Sequence, residues 1–321
     1  MAPILLTTRL GLELPTINQA LARQEALLPA YVAPVCHHIF AAGGKRLRPF
    51  LLLLAARLCG ANDPALYDLA VSVEMLHAAT LLHDDIIDAA STRRGKAAAH
   101  TLFGVTKTIL AGDALLACGN RLVASFHNTD LSHSYSTATS ETANGEIAEL
   151  DCQFDPTLPN ETYLAIIRGK TAALIRCACE MGAIAAHASA SHTQSLAAFG
   201  EHIGMAFQLV DDALDFAKTT GKPVAGDLRE GKCTYPIRLY RESLAPSAQE
   251  DFDRHFRAGD FSEEAIASIT QIICDRHFDQ ATRDFANTYL TKAREALDAL
   301  PDNGERSLMN AMIRYVADRK Q

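Results

Sequence analysis

The sequence predicts an all-α fold, with close-packed helices gathered in a single domain. Three observations carry this. Ala is abundant, Trp is absent and aromatic residues make up only 7% of the chain, a composition suited to helices that approach closely. Apolar residues recur at helical spacing from residue 12 onward. No alternation of Val, Ile and Thr supports a sheet, and no linker or low-complexity stretch divides the 321 residues.

Composition also limits function. Hydrophobic residues are 48% of the chain, ample for a large core, and the net charge of -8 argues against nucleic acid as the main partner. The eight cysteines form no Cys-x-x-Cys pair and no zinc-like spacing with His, so they read as reduced thiols of a cytoplasmic protein. The first residues lack the basic region and apolar core of a signal peptide. No apolar run is long enough to span a membrane.

Taken in order, the apolar positions Leu14, Ile17, Leu21, Leu28, Val35 and Ile39 suggest one or two entry helices. Gly43-Gly44-Lys45-Arg46-Leu47-Arg48-Pro49 follows: glycines that let backbone amides approach an anion, then three cations within four residues. Alone, this heptapeptide reads first as a solvated basic loop. Phe50 to Cys59 predicts an apolar helix stopped by Gly60, and Leu66 to Asp88 a long central helix. That helix closes in acid: Asp84, Asp85 and Asp88. Asp84 and Asp88 share one face, a turn apart, and like charges at this spacing destabilise a helix unless water or cations offset them. His77 lies on the same face, seven residues before Asp84, and by itself reads as a packed core residue. The loop Ser91 to Lys96 adds Arg93, Arg94 and Lys96.

Val105 to Phe126 predicts a helix long enough to line a cavity, with Gly112 and Gly119 allowing close packing. The polar stretch Asn128–Ser140 reads as a loop or helix start, and helical character resumes from Glu141 to Leu150 with Glu146 and Glu149 on its acidic face. Arg168-Gly169-Lys170-Thr171 contains Gly-Lys-Thr, but a P-loop needs a Gly where Leu164 stands and a preceding strand, so that reading is rejected. Gly200 to Phe216 is a second apolar helix closing in acid, with Gln208 ahead of Asp211, Asp212 and Asp215. Lys222 and Lys232 follow among glycines. Residues 234–321 alternate helical segments and polar turns and read as packing.

With 22 Asp among 321 residues, Asp-Asp-x-x-Asp is expected about 0.1 times by chance, so two copies, each closing an apolar helix, are a strong signal. Six carboxylates form a hard oxygen set suited to Mg²⁺, which binds through a few carboxylates plus phosphate oxygens. The flanking cations suit diphosphate, and the Leu, Ile, Ala and Met walls suit an apolar chain. Together they predict an ionising reaction: diphosphate leaves, and the carbocation is kept from water. The two acid helices must face each other to share metals, which is why one domain is expected.

From Gly43-Gly44-Lys45-Arg46-Leu47-Arg48-Pro49 to the terminal Tyr-Val-Ala-Asp-Arg, the chain resembles the trans-type polyprenyl diphosphate synthases, in their long-chain, octaprenyl branch. The resemblance implies an all-helical bundle around a central cavity, a homodimer, and condensation of an allylic diphosphate with successive isopentenyl diphosphates. It implies that Asp84, Asp85, Asp88, Asp211, Asp212 and Asp215 hold the Mg²⁺ ions, three with substrate bound. Arg93, Lys170, Thr171, Gln208, Lys222 and Lys232 would serve the allylic diphosphate; Lys45, Arg48, His77 and Arg94 the isopentenyl diphosphate. Asp84, Asp85, Asp88, Lys170, Asp211 and Asp212 would be catalytic. The implied setting is cytoplasmic, with peripheral membrane contact for product release and a product feeding quinone side chains. One departure is the connection Ala217-Lys218-Thr219-Thr220, shorter than is usual in the family, which bears on Lys222.

Product length follows from helix geometry. Ala79 lies five residues before Asp84, about 7.5 Å along the axis. A bulky residue there would plug a tail running down the helix, whereas Ala79, Thr80 and, a turn further, Met75 leave it open. The expectation is a long chain of octaprenyl type. The alternatives are a shorter-chain synthase, which Ala79 opposes; a non-catalytic partner subunit, which two complete acid clusters oppose; and a terpene cyclase, whose second metal motif is of a different type.

Overall fold

The computed structural model describes residues 2–217 and 224–319. Its elements, in chain order, are helices α1 (Ala2–Glu25), α2 (Ala33–Ala41), α3 (Leu47–Leu58) and α4 (Leu66–Ile87), a hairpin of β1 (Thr92–Arg93) and β2 (Lys96–Ala97), then α5 (Ala99–Phe103), α6 (Val105–Ala124), α7 (Thr129–Asp151) and α8 (Asn160–Ile167). A single π-helical turn, Arg168–Ala172, leads into α9 (Ala173–Ala185) and α10 (Ala190–Leu214). The rest is α11 (Gly226–Arg229), α12 (Tyr235–Glu242), α13 (Pro246–Ala258), α14 (Glu263–Asp275), α15 (Phe278–Asp298) and α16 (Gly304–Ala317). The all-α expectation holds. The chain divides into two compact units: residues 1–139, 174–197 and 300–309, and residues 140–173, 198–299 and 310–321.

In the first unit α3 is buried almost all round, from Pro49 to Ala56, which is why its sequence is apolar without a polar face. α4 packs on α3 and on α6. Small residues set these distances. A Cβ at Gly112 of α6 would stand 2.2 Å from the His83 ring, one at Gly119 2.1 Å from the Tyr135 hydroxyl, and one at Gly182 of α9 2.4 Å from the Leu52 carbonyl. Entry helix α1 is fastened by a polar knot. Arg57 donates to both carboxylate oxygens of Glu13 (2.7 and 3.2 Å), and the Tyr67 hydroxyl donates to Glu13 Oε2 at 2.5 Å. Burial would raise the Glu13 carboxyl, but the Arg57 and Tyr67 hydrogen bonds outweigh it and hold it below the ordinary range. A carboxyl depressed on folding stabilises above its unfolded pKa and loses that contribution as pH falls through the folded one. Acid denaturation of Glu13→Gln, followed by circular dichroism, is therefore expected to show a flatter pH dependence below about pH 4.5 than the wild type.

The structure decides two stretches that the sequence left open. Asn128–Ser140 is the helix start: α7 begins at Thr129, capped by the Asn128 side chain, which accepts from the amides of Asp130 (2.9 Å) and Leu131 (3.2 Å). Its buried residues, Leu131, Ser134, Tyr135 and Ala138, keep helical spacing, and its hydroxyls find partners, Thr139 on the Tyr135 carbonyl one turn back and Ser134 on Glu180 of α9. The loop after Asp88 carries a short hairpin, with Thr92 paired to Ala97 and Arg93 to Lys96. Its two turn residues, Arg94 and Gly95, have φ of 51° and 75°, as a tight hairpin of right-handed twist requires.

In the second unit α7 and the π-helical turn cross at paired glycines: a Cβ on Gly145 would lie 2.5 Å from the Lys170 amide, and one on Gly169 2.7 Å from the Glu141 carbonyl. All eight cysteines are free thiols. Burial pushes Cys36 and Cys233 up to about 12, which keeps them unreactive packing groups. No helix among the described residues is long and apolar enough to cross a membrane.

Candidate active site

The first unit builds a cationic pocket beside the first acid cluster. α4 runs to Ile87 and is capped at Asp88, so Asp84 and Asp85 lie in its last turn. Asp84 is half-buried, Asp88 exposed and Asp85 wholly buried. Acid at a helix C-terminus opposes the helix dipole, so this placement costs stability and calls for a function. Arg93, delivered by β1, donates through Nε to Asp85 Oδ1 at 2.6 Å, while Asp85 Oδ2 is buried without a partner among the described residues.

Next to it stand Arg46, Arg48 and Arg94. Arg46, at φ 49°, turns inward to pair with buried Glu74 at 2.6 Å and to donate to the Phe40 carbonyl at 2.8 Å. Arg94 reaches back from the hairpin turn to the Gly43 carbonyl, and Lys96 donates to the Ala41 carbonyl at 2.8 Å. The glycine pair is needed for this: a Cβ on Gly44 would lie 2.8 Å from an Arg94 nitrogen. Arg48 Nε is buried with no partner among the described residues. His77 is held well below its ordinary pKa, first by burial and then by Arg48, Arg94, Arg46 and Arg93, so its imidazole is neutral. The four guanidiniums of Arg46, Arg48, Arg93 and Arg94 all act on this one ring, a concentration of positive charge suited to an anion. Of the residues expected to bind isopentenyl diphosphate, Arg48, His77 and Arg94 meet here; Lys45 is exposed at the pocket's loop. The sequence reading missed the internal role of Arg46, because its partner Glu74 is 28 residues away.

Below the acids, Ala79 and Met75 are buried in α4, and Thr80 returns its hydroxyl to the His77 carbonyl at 2.9 Å. Farther from Asp84, the buried Tyr135 hydroxyl donates to the Ser72 carbonyl at 3.3 Å.

The second unit treats its three aspartates differently. Asp212 is buried with both oxygens taken: Tyr163 donates to Oδ2 at 2.5 Å and the Gln208 amide to Oδ1 at 2.8 Å. Burial, against those two hydrogen bonds, pushes it up to about 7. Gln208 is fixed in turn by the Thr171 hydroxyl at 2.6 Å. Asp215 receives the Asp227 amide at 3.0 Å. Asp227 is a fourth carboxylate that sequence reading passed over; it is raised well above the usual range by burial and by Asp215, and its Oδ2 is a buried orphan. Asp211 is half-exposed and meets Arg319 at 2.9 Å. Lys170 does not stand apart: its Nζ is 3.0 Å from Glu146 and 2.5 Å from Glu149. Burial works against its charge, and Glu149 and Glu146 outweigh that and hold it raised. Lys232 lies 3.5 Å from the same Glu149 and 2.6 Å from Glu230. Glu146 and Glu149 are legible as an acidic helix face, and only the fold brings Lys170 onto them. Lys222 lies outside the described residues.

Among the described residues no three His, Cys, Asp or Glu side chains gather tightly enough to hold a metal alone. Mg²⁺ binds through one or two carboxylates and completes its shell with water and phosphate oxygens. The orphaned buried oxygens of Asp85 and Asp227 lack the donors such groups need, and a hard cation at either cluster meets that need.

Guanidiniums beside a carboxylate cluster at the end of an apolar helix define a helical protein with a site suited to an anion. A profile described as "Polyprenyl synthetase" matches residues 29–273, and the chain belongs to that family, the trans-prenyl diphosphate synthases, which are prenyltransferases. It is 35% identical to the all-trans-nonaprenyl-diphosphate synthase (geranyl-diphosphate specific) of Rhodobacter capsulatus, over 95% of this chain and 93% of that one. Among solved structures, a decaprenyl diphosphate synthase of Rhodobacter capsulatus superposes with a TM-score of 0.93 at 33% identity, covering 99% of each chain. A Caulobacter crescentus polyprenyl synthase complexed with calcium and isoprenyl diphosphate gives 0.92 at 34% identity, over 98% of this chain and 97% of that one. Other relatives are named for solanesyl, heptaprenyl and octaprenyl products, so likeness alone does not fix the length.

Proposed function

We propose that this enzyme extends an allylic diphosphate, with farnesyl diphosphate as primer, by successive isopentenyl diphosphates to a long all-trans polyprenyl diphosphate of octaprenyl length. The observation that carries this reading is the cationic pocket of Arg48, Arg94 and neutral His77, joined to the acid cluster by Arg93 on Asp85, with small Ala79 behind it on α4. Asp84, Asp85 and Asp88 in the first cluster and Asp211, Asp212 and Asp215 in the second would hold Mg²⁺ for the allylic diphosphate, and the chain works as a single polyprenyl diphosphate synthase domain. Bound there, Mg²⁺ supplies positive charge to the departing diphosphate. Arg93, Lys170, Thr171, Gln208, Lys222 and Lys232 orient that group. Asp212, clamped by Tyr163 and Gln208, fixes the end of α10 as well as lending charge. Lys45, Arg48, His77 and Arg94 hold isopentenyl diphosphate with its double bond toward the ionising carbon. The apolar residues of α4 exclude water from the cation, and the proton lost after attack goes to the released diphosphate.

The tail runs from Asp84 past Ala79 and Met75. Ser72 lies twelve residues before Asp84, about 18 Å along the axis, and Tyr135 on its carbonyl forms a wall at that depth. A homodimer is supported by the apolar surface of Leu102 on α5 and Val105, Ile109 and Leu110 at the start of α6, 40–60% exposed. Work in the cytoplasm, peripheral membrane contact for product release and supply of quinone side chains complete the reading.

Incorporation of labelled isopentenyl diphosphate tests it: transfer should need Mg²⁺, stop with chelator and return on re-addition, and metal-independent transfer would refute the metal assignment. Gly44→Ala should raise the KM for isopentenyl diphosphate about tenfold by displacing Arg94, with kcat largely kept, since one charge-assisted contact is worth about 1.5–3 kcal/mol. An unchanged KM would separate Arg94 from that substrate.

A further inference from the structure

The chain's C-terminal end reaches the second acid cluster. Arg319 follows α16 and places its guanidinium 2.9 Å from Asp211 Oδ1. The contact is built rather than incidental. The guanidinium lies over the Phe207 ring, 3.9 Å from its centroid, and donates to the Phe207 carbonyl at 3.4 Å. Phe207 is one turn before Asp211 on α10. The Arg319 carbonyl is itself held by Arg283 at 3.2 Å, and the Arg319 side chain is only 10% exposed. A simple surface ion pair contributes little and would not need a ring, two carbonyls and a second arginine to hold it.

We propose that Arg319 is a positioning residue that couples metal binding at Asp211 to arrival of the diphosphate. This rests on the reading of Asp211 as a metal ligand. A fixed positive charge on that carboxylate competes with a divalent cation that comes alone. When the cation comes with a diphosphate, the anion's charge outweighs the guanidinium, which then attracts the incoming group. The second cluster is thereby kept a poor site for free metal and a good one for metal with substrate. Neither the motif spacing nor the family resemblance assigns Arg319 a role.

The test uses Mn²⁺ alone, followed by its electron paramagnetic resonance signal, on the full-length wild type and on Arg319→Gln, Arg319→Lys and Asp211→Asn. Removing one charge beside a divalent ion should tighten Mn²⁺ binding about tenfold in Arg319→Gln at low salt, less at high salt. Arg319→Lys, which keeps the charge, should stay near the wild type. With inorganic diphosphate added, the Arg319→Gln advantage should vanish or reverse. If Arg319→Gln melts early, Arg283→Gln, which frees the Arg319 carbonyl, should tighten Mn²⁺ in the same direction to a smaller extent. Unchanged or weaker Mn²⁺ binding in the Arg319 and Arg283 variants, with Asp211→Asn losing a site, would overturn the coupling and leave the metal reading standing. Asp211→Asn binding Mn²⁺ like the wild type would overturn the metal reading and the proposal with it.

Discussion

Asp84→Ala loses about three orders of magnitude in turnover while its fold survives or gains slightly. The two halves of this expectation have different causes. A carboxylate that anchors metal charge on a leaving group contributes several kcal/mol to the transition state, and about 1.4 kcal/mol corresponds to each factor of ten. The same carboxylate sits in the last turn of α4, against the helix dipole and beside Asp85 and Asp88. Removing it relieves repulsion of about 0.3–1 kcal/mol. The variant should therefore melt at or just above the wild-type temperature when both are measured without metal. Loss of activity with loss of structure would instead make Asp84 a packing residue. Full activity would remove it from the metal site.

Ala79→Tyr shortens the product to about the geranylgeranyl stage without abolishing transfer. Ala79 is fully buried one and a half turns before Asp84, so a phenol there must go either into a channel or into packed side chains. A channel accepts it at small cost to stability. A packed site would not: overpacking costs about 1–3 kcal/mol and leaves product length untouched. Chromatography of the dephosphorylated products, with a melting curve for each variant, separates the two. Tyr135→Ala provides the opposite sign, because removing the ring against Ser72 opens the far end and lengthens the product. A wild-type product distribution in both variants would refute the path of the tail along α4.

Legibility in the sequence followed the range of the interactions. The helices that carry both acid clusters rest on local periodicity and spacing, and they read correctly. What stayed open depended on partners distant in the sequence. The polar run at Asn128–Ser140, readable as loop or helix start, is helix from Thr129 on because its few apolar residues align. Arg46, one of three adjacent cations, is structural because Glu74 waits for it in α4. Lys170 reads as a cation available to phosphate, yet Glu146 and Glu149 from α7 flank it. Tyr163, Asp227 and Arg319 were assigned no role from the sequence and join the second cluster through the fold of its unit.

The most direct test of the account is the product of the purified enzyme given Mg²⁺, farnesyl diphosphate and labelled isopentenyl diphosphate, resolved by chain length. The account predicts a ladder that ends at octaprenyl diphosphate. A ladder that stops at geranylgeranyl diphosphate would contradict the open path behind Ala79, and no incorporation at all would contradict the catalytic reading itself.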